Sequence, residues 1–141
     1  MTDSVLLTKR IEFSSSHRYI RPEWDEAKNR AAFGLCYNPP AHGHNYLLEV
    51  TVFGEIDRQT GMVVNLFDLK RVLLDVIEEF DHKNLNLDVD FMLGKMASTE
   101  NLAMEIWKIL APAIPAVSSK AKLHSVRLFE TPRNYVEYFG E

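Results

Sequence analysis

The sequence predicts an α+β fold, an antiparallel sheet of four strands with two helices packed on one of its faces. Segments with a strand pattern do not alternate one to one with helical segments, which argues against a doubly wound parallel sheet. The order along the chain is a strand, a long loop, a strand, a short strand leading into a helix, a second helix and a β-hairpin. With 141 residues, 46% of them hydrophobic, the chain suits a single domain over 1–141.

Two strands are predicted in the first part of the chain, with a long loop between them. Residues 5–13 alternate enough to form a strand, which runs on through three serines to His17. Residues 18–41 contain three prolines and a glycine and are predicted to form a loop with about one helical turn. A loop of this length in a compact domain is more often functional or disordered than inert. Residues 46–53 are rich in β-branched and aromatic residues and predict the second strand.

A helix is predicted over residues 65–80, after a polar turn and a short strand at 62–64. Asn65 is a residue type that caps helix N-termini, and Asp68 stands in the first turn. Apolar residues then recur at intervals of three and four, which gives the helix one buried face. The segment DHKN ends it.

A second helix is predicted from Ser98 to Pro112. Ser98 is a good N-cap residue, and Glu100 lies near the positive end of the helix dipole. Pro112 has no backbone N–H and is expected to end the helix. The apolar face comprises Leu102, Ile106, Ile109 and Leu110.

The chain closes with a predicted β-hairpin, in which residues 123–130 and 135–139 are joined by the turn 131–134. An open sheet of four strands would leave Tyr, Phe and Val side chains in water on the face without helices. Its edges would also invite pairing with other strands. Oligomerisation solves both problems, so we expect an oligomer.

The composition excludes several classes of function. A net charge of −4 and a pI near 5.7 supply no basic surface for nucleic acid. No apolar stretch approaches the roughly 20 residues that span a bilayer, and the N-terminus lacks a signal-peptide pattern. We therefore expect a cytoplasmic protein without nucleic-acid or membrane partners. The single cysteine excludes an internal disulfide.

Three histidines form the strongest candidate for a metal site. If the second strand begins near the HGH segment, its period of two places His42 and His44 on one face. His17 ends the first strand, which is expected to pair with the second. Neutral imidazole is the commonest zinc ligand, and a catalytic zinc takes three protein ligands and keeps one position open. The simplest ligand set for zinc is therefore His17, His42 and His44.

Cys36, six positions before His42, has two possible roles. A thiol near a dication is more easily deprotonated and then acts as a base. The same sulfur is able to bind the metal as a fourth ligand and close a structural site. The loop between the two residues contains two prolines, and its spacing leaves both roles open.

Asp81 and His82 are adjacent at the end of the first predicted helix. A carboxylate that contacts an imidazole orients the ring and raises its basicity, so the pair is a candidate for acid/base chemistry. Sequence neighbours often point apart, which leaves a structural role open. His124 has no carboxylate or cysteine neighbour in the sequence, and we assign it no site role.

Glu130 has the same parity as Val126 and Leu128 on the first hairpin strand, so it is expected to face inward. Burying an unpaired charge is costly. Glu130 is therefore either paired, waiting for a ligand with two parallel N–H donors, or exposed to solvent at the strand end.

Several motifs occur in a fixed order along the chain: FSSSHR, C-x5-HGHNY, GEID-x-x-TGMV-x-NL-x-DLK, EFDHKNLN, STEN and FET-P-x-N-x-V-x-Y. Taken together, they resemble the 6-pyruvoyl-tetrahydropterin synthase family. The resemblance implies a T-fold, in which three sheets close a twelve-stranded barrel and two trimers stack into a hexamer. It also implies conversion of 7,8-dihydroneopterin triphosphate to 6-pyruvoyl-tetrahydropterin with loss of triphosphate, as in tetrahydrobiopterin synthesis.

The resemblance also implies roles for individual residues. It implies that the three histidines bind zinc and that Cys36 is the catalytic base. It implies that Asp81 and His82 reach the site from a neighbouring subunit and relay the proton. Glu130 is expected to anchor the pterin, with Thr99 and Thr131 near its ring. One departure is the loop CYNPPA, where relatives more often have an asparagine-rich, glycine-containing version, and it affects the fine placement of Cys36.

Two alternative functions remain at this point. One is 6-carboxy-tetrahydropterin synthase of queuosine biosynthesis, whose usual motif has three residues between the cysteine and HGH. This chain has five, which favours the pyruvoyl enzyme. The other is a non-catalytic zinc-stabilised module in which Cys36 is a fourth ligand.

Overall fold

Five strands form one sheet in the computed structural model, which describes residues 3–141. They lie in the order β3-β1-β2-β4-β5. The long strands are antiparallel neighbours, so the predicted α+β class and antiparallel sheet are confirmed. The structure adds β3, a two-residue strand parallel to β1. The strand bounds are β1 Ser4–His17, β2 His42–Glu55, β3 Lys83–Asn84, β4 Ala121–Thr131 and β5 Asn134–Tyr138.

The register of β1 and β2 brings the three predicted metal ligands together. The two strands pair along their whole length, with His17 directly opposite His42 and Ser15 opposite His44. Opposite residues of an antiparallel pair point to the same face, and so do residues two apart on one strand. The three histidines therefore share one face at one end of the sheet.

Two long helices, α2 (Leu66–Glu78) and α3 (Thr99–Val117), pack on one side of the sheet. Both predicted caps are confirmed. Asn65 accepts the backbone N–H of Phe67, and the Ser98 hydroxyl accepts that of Asn101. Fully buried side chains between helices and sheet include Leu48, Val50, Leu69, Leu73, Leu102, Ile106, Val126 and Leu128.

The segment between β1 and β2 contains more regular structure than the single turn we predicted. It includes helix α1 (Glu26–Phe33) and a 3-10 helix, Gly34–Tyr37. The Asp25 carboxylate accepts the backbone N–H of Lys28, an N-cap that the sequence analysis missed. The buried amide of Asn29 donates to backbone carbonyl oxygens of the preceding turn. These contacts hold α1 against the turn before it.

Helix α3 continues past Pro112, which we wrongly predicted to end it. Pro112 and Pro115 both lie on the exposed side of the helix, where water reaches the carbonyl groups that each proline leaves without a partner. Ile114 is completely buried, which stabilises the last turns by about 1.5–3 kcal/mol. None of the helices within residues 3–141 combines the length and apolar character that crossing a bilayer requires.

The predicted strand at 62–64 does not form. Val63 and Val64 are both buried, whereas consecutive strand residues point to opposite faces. The carbonyl oxygen of Val63 accepts a hydrogen bond from the Ser118 hydroxyl at 2.8 Å instead of a strand partner. The segment enters the core as irregular chain and leads directly into α2.

The sheet face without helices carries a row of alternating charges. Arg10, Glu49, Arg127 and Glu137 are paired neighbours across β1, β2, β4 and β5, and each forms an ion pair with the next. Glu49 is only 6% exposed, so its two arginine partners offset the cost of burying it. The same face also exposes the apolar side chains of Leu6, Phe53 and Tyr135. An oligomer that covers this face stays a prediction.

Replacing Gly54 in β2 by Ala is expected to destabilise the fold by about 1–3 kcal/mol. A β-carbon there would lie 2.3 Å from the carbonyl oxygen of Lys120 and 2.6 Å from Cγ2 of Val63, so the backbone must shift. Gly43→Ala on the same strand is the control, because its β-carbon would meet the carbonyl oxygen of Ser15 at an ordinary 3.6 Å. Urea denaturation measures both variants, and equal free energies of unfolding would contradict the expectation.

Candidate metal centre and active site

Four side chains converge at the end of β1, β2 and β4. One ligand atom from each of His17, His42, His44 and Glu130 lies within 4.8 Å of the others, an arrangement able to hold a metal ion. The structure thus brings together the three histidines singled out in the sequence. It adds Glu130, which the sequence analysis had placed on an inward face but not beside the histidines.

His17 is oriented by its second ring nitrogen. The ring is completely buried, and its Nδ1 lies 2.7 Å from the carbonyl oxygen of Ala97. A carbonyl oxygen only accepts, so Nδ1 carries the proton and Nε2 points into the cluster. Metal-binding histidines are typically fixed in this way by an outer partner. The Tyr46 hydroxyl lies 3.3 Å from the same Nδ1.

Two ring nitrogens of the cluster, Nε2 of His17 and Nε2 of His44, are buried without a hydrogen-bond partner. Buried polar atoms are nearly always paired, so two such nitrogens at one point indicate a ligand-binding site. Burial lowers the pKa of both rings below the usual 6.5, which favours the neutral imidazole that binds metal ions. The donor set fits a divalent transition-metal ion.

The carboxylate of Glu130 is held between Thr99 and the histidines. Its Oε2 accepts a hydrogen bond from the Thr99 hydroxyl at 2.5 Å. Its Oε1 lies 2.9 Å from Nε2 of His44 and 3.8 Å from Nε2 of His17. The 2.9 Å separation is short enough for a hydrogen bond. The contact nevertheless lacks hydrogen-bond geometry, and Nε2 of His44 has no hydrogen-bond partner. Both oxygens of Glu130 are therefore turned toward protein groups.

Cys36 lies outside the group of four candidate metal ligands. It sits in the 3-10 helix Gly34–Tyr37 as a half-buried free thiol. Its carbonyl oxygen accepts the backbone N–H of Tyr19 at 2.8 Å, which ties this loop to the chain just after His17. In the described part of the chain, its sulfur does not belong to the set of mutually close ligand atoms.

Tyr19 is a site residue that the sequence analysis missed. Its ring packs edge-on against His17, with centroids 5.0 Å apart. Burial raises the pKa of its phenol, and the charges of Glu130, Glu100 and Cys36 raise it further, so the group stays neutral. The available signal was its position two residues after His17, a spacing that keeps both on one face of an extended chain.

Asp81 and His82 form a contact pair at the edge of β1. Nδ1 of His82 lies 3.0 Å from Oδ1 of Asp81, and the same oxygen accepts the backbone N–H of Ser14. His82 has a φ of 59°, a left-handed conformation that is uncommon outside glycine and recurs at functional sites. Among residues 3–141, the pair makes no hydrogen bond or ion pair with Cys36 or with the four candidate metal ligands.

Open clefts flank the HGH segment. One, of about 670 Å³, is lined by His44, Glu130 and Thr131 among others. The second, of about 530 Å³, runs from His44 to His82. The Thr131 hydroxyl oxygen accepts two backbone N–H groups of the following turn and so also closes the β4–β5 hairpin. A small molecule is able to approach the cluster from either side.

Comparison with known proteins identifies close relatives. The family model described as 6-pyruvoyl tetrahydropterin synthase matches residues 6–141. The 6-pyruvoyl tetrahydrobiopterin synthases of Pongo abelii and Homo sapiens are 44% and 43% identical over 136 residues, which span 96% of this chain and 91% of each relative. The structure of Caenorhabditis elegans 6-pyruvoyl tetrahydropterin synthase superposes with a TM-score of 0.90 at 34% identity, covering 99% of this chain and 98% of that one.

Proposed function

The chain belongs to the 6-pyruvoyl tetrahydropterin synthase family, and we propose that it converts 7,8-dihydroneopterin triphosphate to 6-pyruvoyl-tetrahydropterin in a zinc-dependent reaction. The reaction eliminates triphosphate and moves hydrogens within the substrate, as in tetrahydrobiopterin synthesis. The observation that carries the proposal is the convergence of His17, His42 and His44 at one point.

Zinc is the proposed ion because catalytic zinc binds three protein ligands, often imidazole nitrogens, and keeps a further position open. His17, His42 and His44 are the residues that would hold it. When bound, the ion polarises the side-chain oxygens of the substrate and acidifies the neighbouring C–H bonds. The hydrogen bond from His17 to Ala97 keeps that ring in the orientation the metal needs.

Cys36 is the proposed base that removes a proton from the substrate side chain. Cys36 is a partly exposed residue, and its sulfur stands outside the group of candidate metal ligands, which leaves it free to act on a bound molecule. Glu130 and Thr131 line the cleft proposed for the pterin, and Thr99 holds Glu130 in place.

Asp81 and His82 are proposed to serve the site of a neighbouring subunit, where they relay the proton from Cys36. This arrangement is supported by the high exposure of the His82 side chain, 81%, and by the absence of a contact with Cys36 within residues 3–141. In the proposed cytoplasmic homohexamer, three sheets would close a barrel that covers the charged face of each sheet, and two such trimers would stack.

Mixed oligomers test the sharing of residues between subunits. Cys36→Ala and His82→Ala subunits, each inactive alone, are expected to regain part of the activity when co-assembled, because some sites then combine an intact Cys36 with an intact His82. Cys36→Ala mixed with His42→Ala is the control, since both residues come from one subunit and no rescue is expected. Verified mixed oligomers of the first pair without activity would refute the shared site.

The direct test of function is product identification. Zinc-loaded protein is incubated with 7,8-dihydroneopterin triphosphate, the products are identified by mass spectrometry, and any acetaldehyde is trapped. We expect 6-pyruvoyl-tetrahydropterin and free triphosphate. A 6-carboxy product with acetaldehyde would instead assign the carboxy activity, and unchanged substrate would refute both.

A further inference from the structure

We propose that Glu130 is the fourth ligand of the metal ion when no pterin is bound. This inference rests on the metal site of the proposed function. It gives a second role to a carboxylate that the family resemblance connects only with the pterin. A substrate oxygen would then either replace Glu130 or add to it as a fifth ligand.

The separations between ligand atoms support coordination. A tetrahedral ion bound at about 2.0–2.1 Å keeps its ligand atoms about 3.3 Å apart. Oε1 of Glu130 lies 2.9 Å from Nε2 of His44 and 3.8 Å from Nε2 of His17, and these separations bracket that value. All four ligand atoms lie within 4.8 Å of one another. One ion is therefore able to reach all four.

The electrostatics of the cluster point to the same conclusion. His17 donates a hydrogen bond through Nδ1 to the carbonyl oxygen of Ala97, so in the neutral ring Nε2 is unprotonated and carries a lone pair. This lone pair and the unpaired Nε2 of His44 face a carboxylate oxygen in a buried setting, an arrangement that is repulsive without a cation between the atoms. An imidazolium at His44 would be expected to donate a hydrogen bond to Glu130, and that contact lacks hydrogen-bond geometry.

Thr99 fixes the orientation of Glu130 through the carboxylate oxygen that faces away from the histidines. Thr99, 3% exposed, donates its hydroxyl to Oε2 at 2.5 Å, which turns Oε1 toward the histidines. Thr99 is also the first residue of α3, where the helix dipole favours a negative charge. Fixing a metal ligand by a second hydrogen bond is how proteins commonly position such groups.

The test compares metal binding by wild type, Glu130→Gln and Glu137→Gln. Glu137 is a surface residue of β5 that forms an ion pair with Arg127 of β4. Competition with a chromogenic chelator measures the affinity for Zn²⁺. We expect Glu130→Gln to lose at least about tenfold in affinity and Glu137→Gln to lose none. The Co²⁺-loaded wild type should show the strong visible absorption of four-coordinate cobalt, which weakens or shifts in Glu130→Gln. Equal affinities and identical spectra in all three proteins would overturn the proposal.

Crystals of zinc-loaded, pterin-free wild type keep the proposal testable if Glu130→Gln does not fold. A Glu130 oxygen about 2.0–2.2 Å from the ion is expected, and a water in its place with Glu130 turned away would overturn the proposal. Metal binding that depends on Glu130 in a protein without synthase activity would uphold this inference and refute the proposed function. An active enzyme whose metal affinity does not depend on Glu130 would uphold the proposed function and refute this inference.

Discussion

Cys36→Ala is expected to lower turnover by about 10²- to 10⁴-fold, the usual contribution of a positioned base, without loss of zinc or pterin binding. The sulfur is the proposed proton acceptor, and it stands outside the cluster of ligand atoms. Removing it therefore leaves the three histidines and Glu130 in place. Steady-state kinetics, metal analysis and equilibrium binding of neopterin measure the three quantities.

Cys36→Ser is the matched variant, because it keeps the size of the side chain but replaces the thiol by a much weaker acid. It should be nearly as slow as Cys36→Ala. If Cys36→Ala instead lost its zinc, the sulfur would be a metal ligand, and the assignment as base would be wrong.

His42→Ala is expected to abolish turnover and to weaken zinc binding by more than the 10- to 100-fold that loss of an outer partner costs. The variant removes one of three nitrogen ligands. His42 is only partly buried, whereas His17 is completely buried, so His42→Ala is the cleaner variant for separating metal loss from unfolding. Metal analysis after dialysis and circular dichroism measure both.

His124→Ala is the control for this substitution. His124 is an exposed histidine of β4 that packs edge-on against Phe139, away from the cluster. The same chemical change there should leave zinc content and turnover unchanged. An unchanged zinc content in His42→Ala would remove His42 from the ligand set.

The parts of the fold that local patterns encode were predictable. Period-two alternation identified β2, and the cap residues Asn65 and Ser98 marked where the two long helices begin. The three histidines were found as one group from two rules. Period-two alternation places His42 and His44 on one face, and pairing of the first two strands brings His17 to the same face.

The parts that depend on long-range packing were not predictable. Burial of Ile114 carries α3 past Pro112, although local preference says that the helix should stop. Glu130 joins the cluster because β4 pairs with β2 with Leu48 opposite Leu128, a register that no local pattern encodes. The placement of Cys36 depends on helix α1 and on the backbone contacts of the segment between β1 and β2. For that segment the sequence predicted only a loop with about one helical turn.

The single cysteine allows a direct test of whether the metal site is catalytic with a free thiol or structural and closed. Zinc-loaded, pterin-bound and zinc-stripped proteins are each treated with iodoacetamide, and the intact mass reports alkylation of Cys36. We expect rapid alkylation of the zinc-loaded protein and protection by bound neopterin. A thiol that stays protected until zinc is removed would be a metal ligand and would contradict the proposed catalytic site.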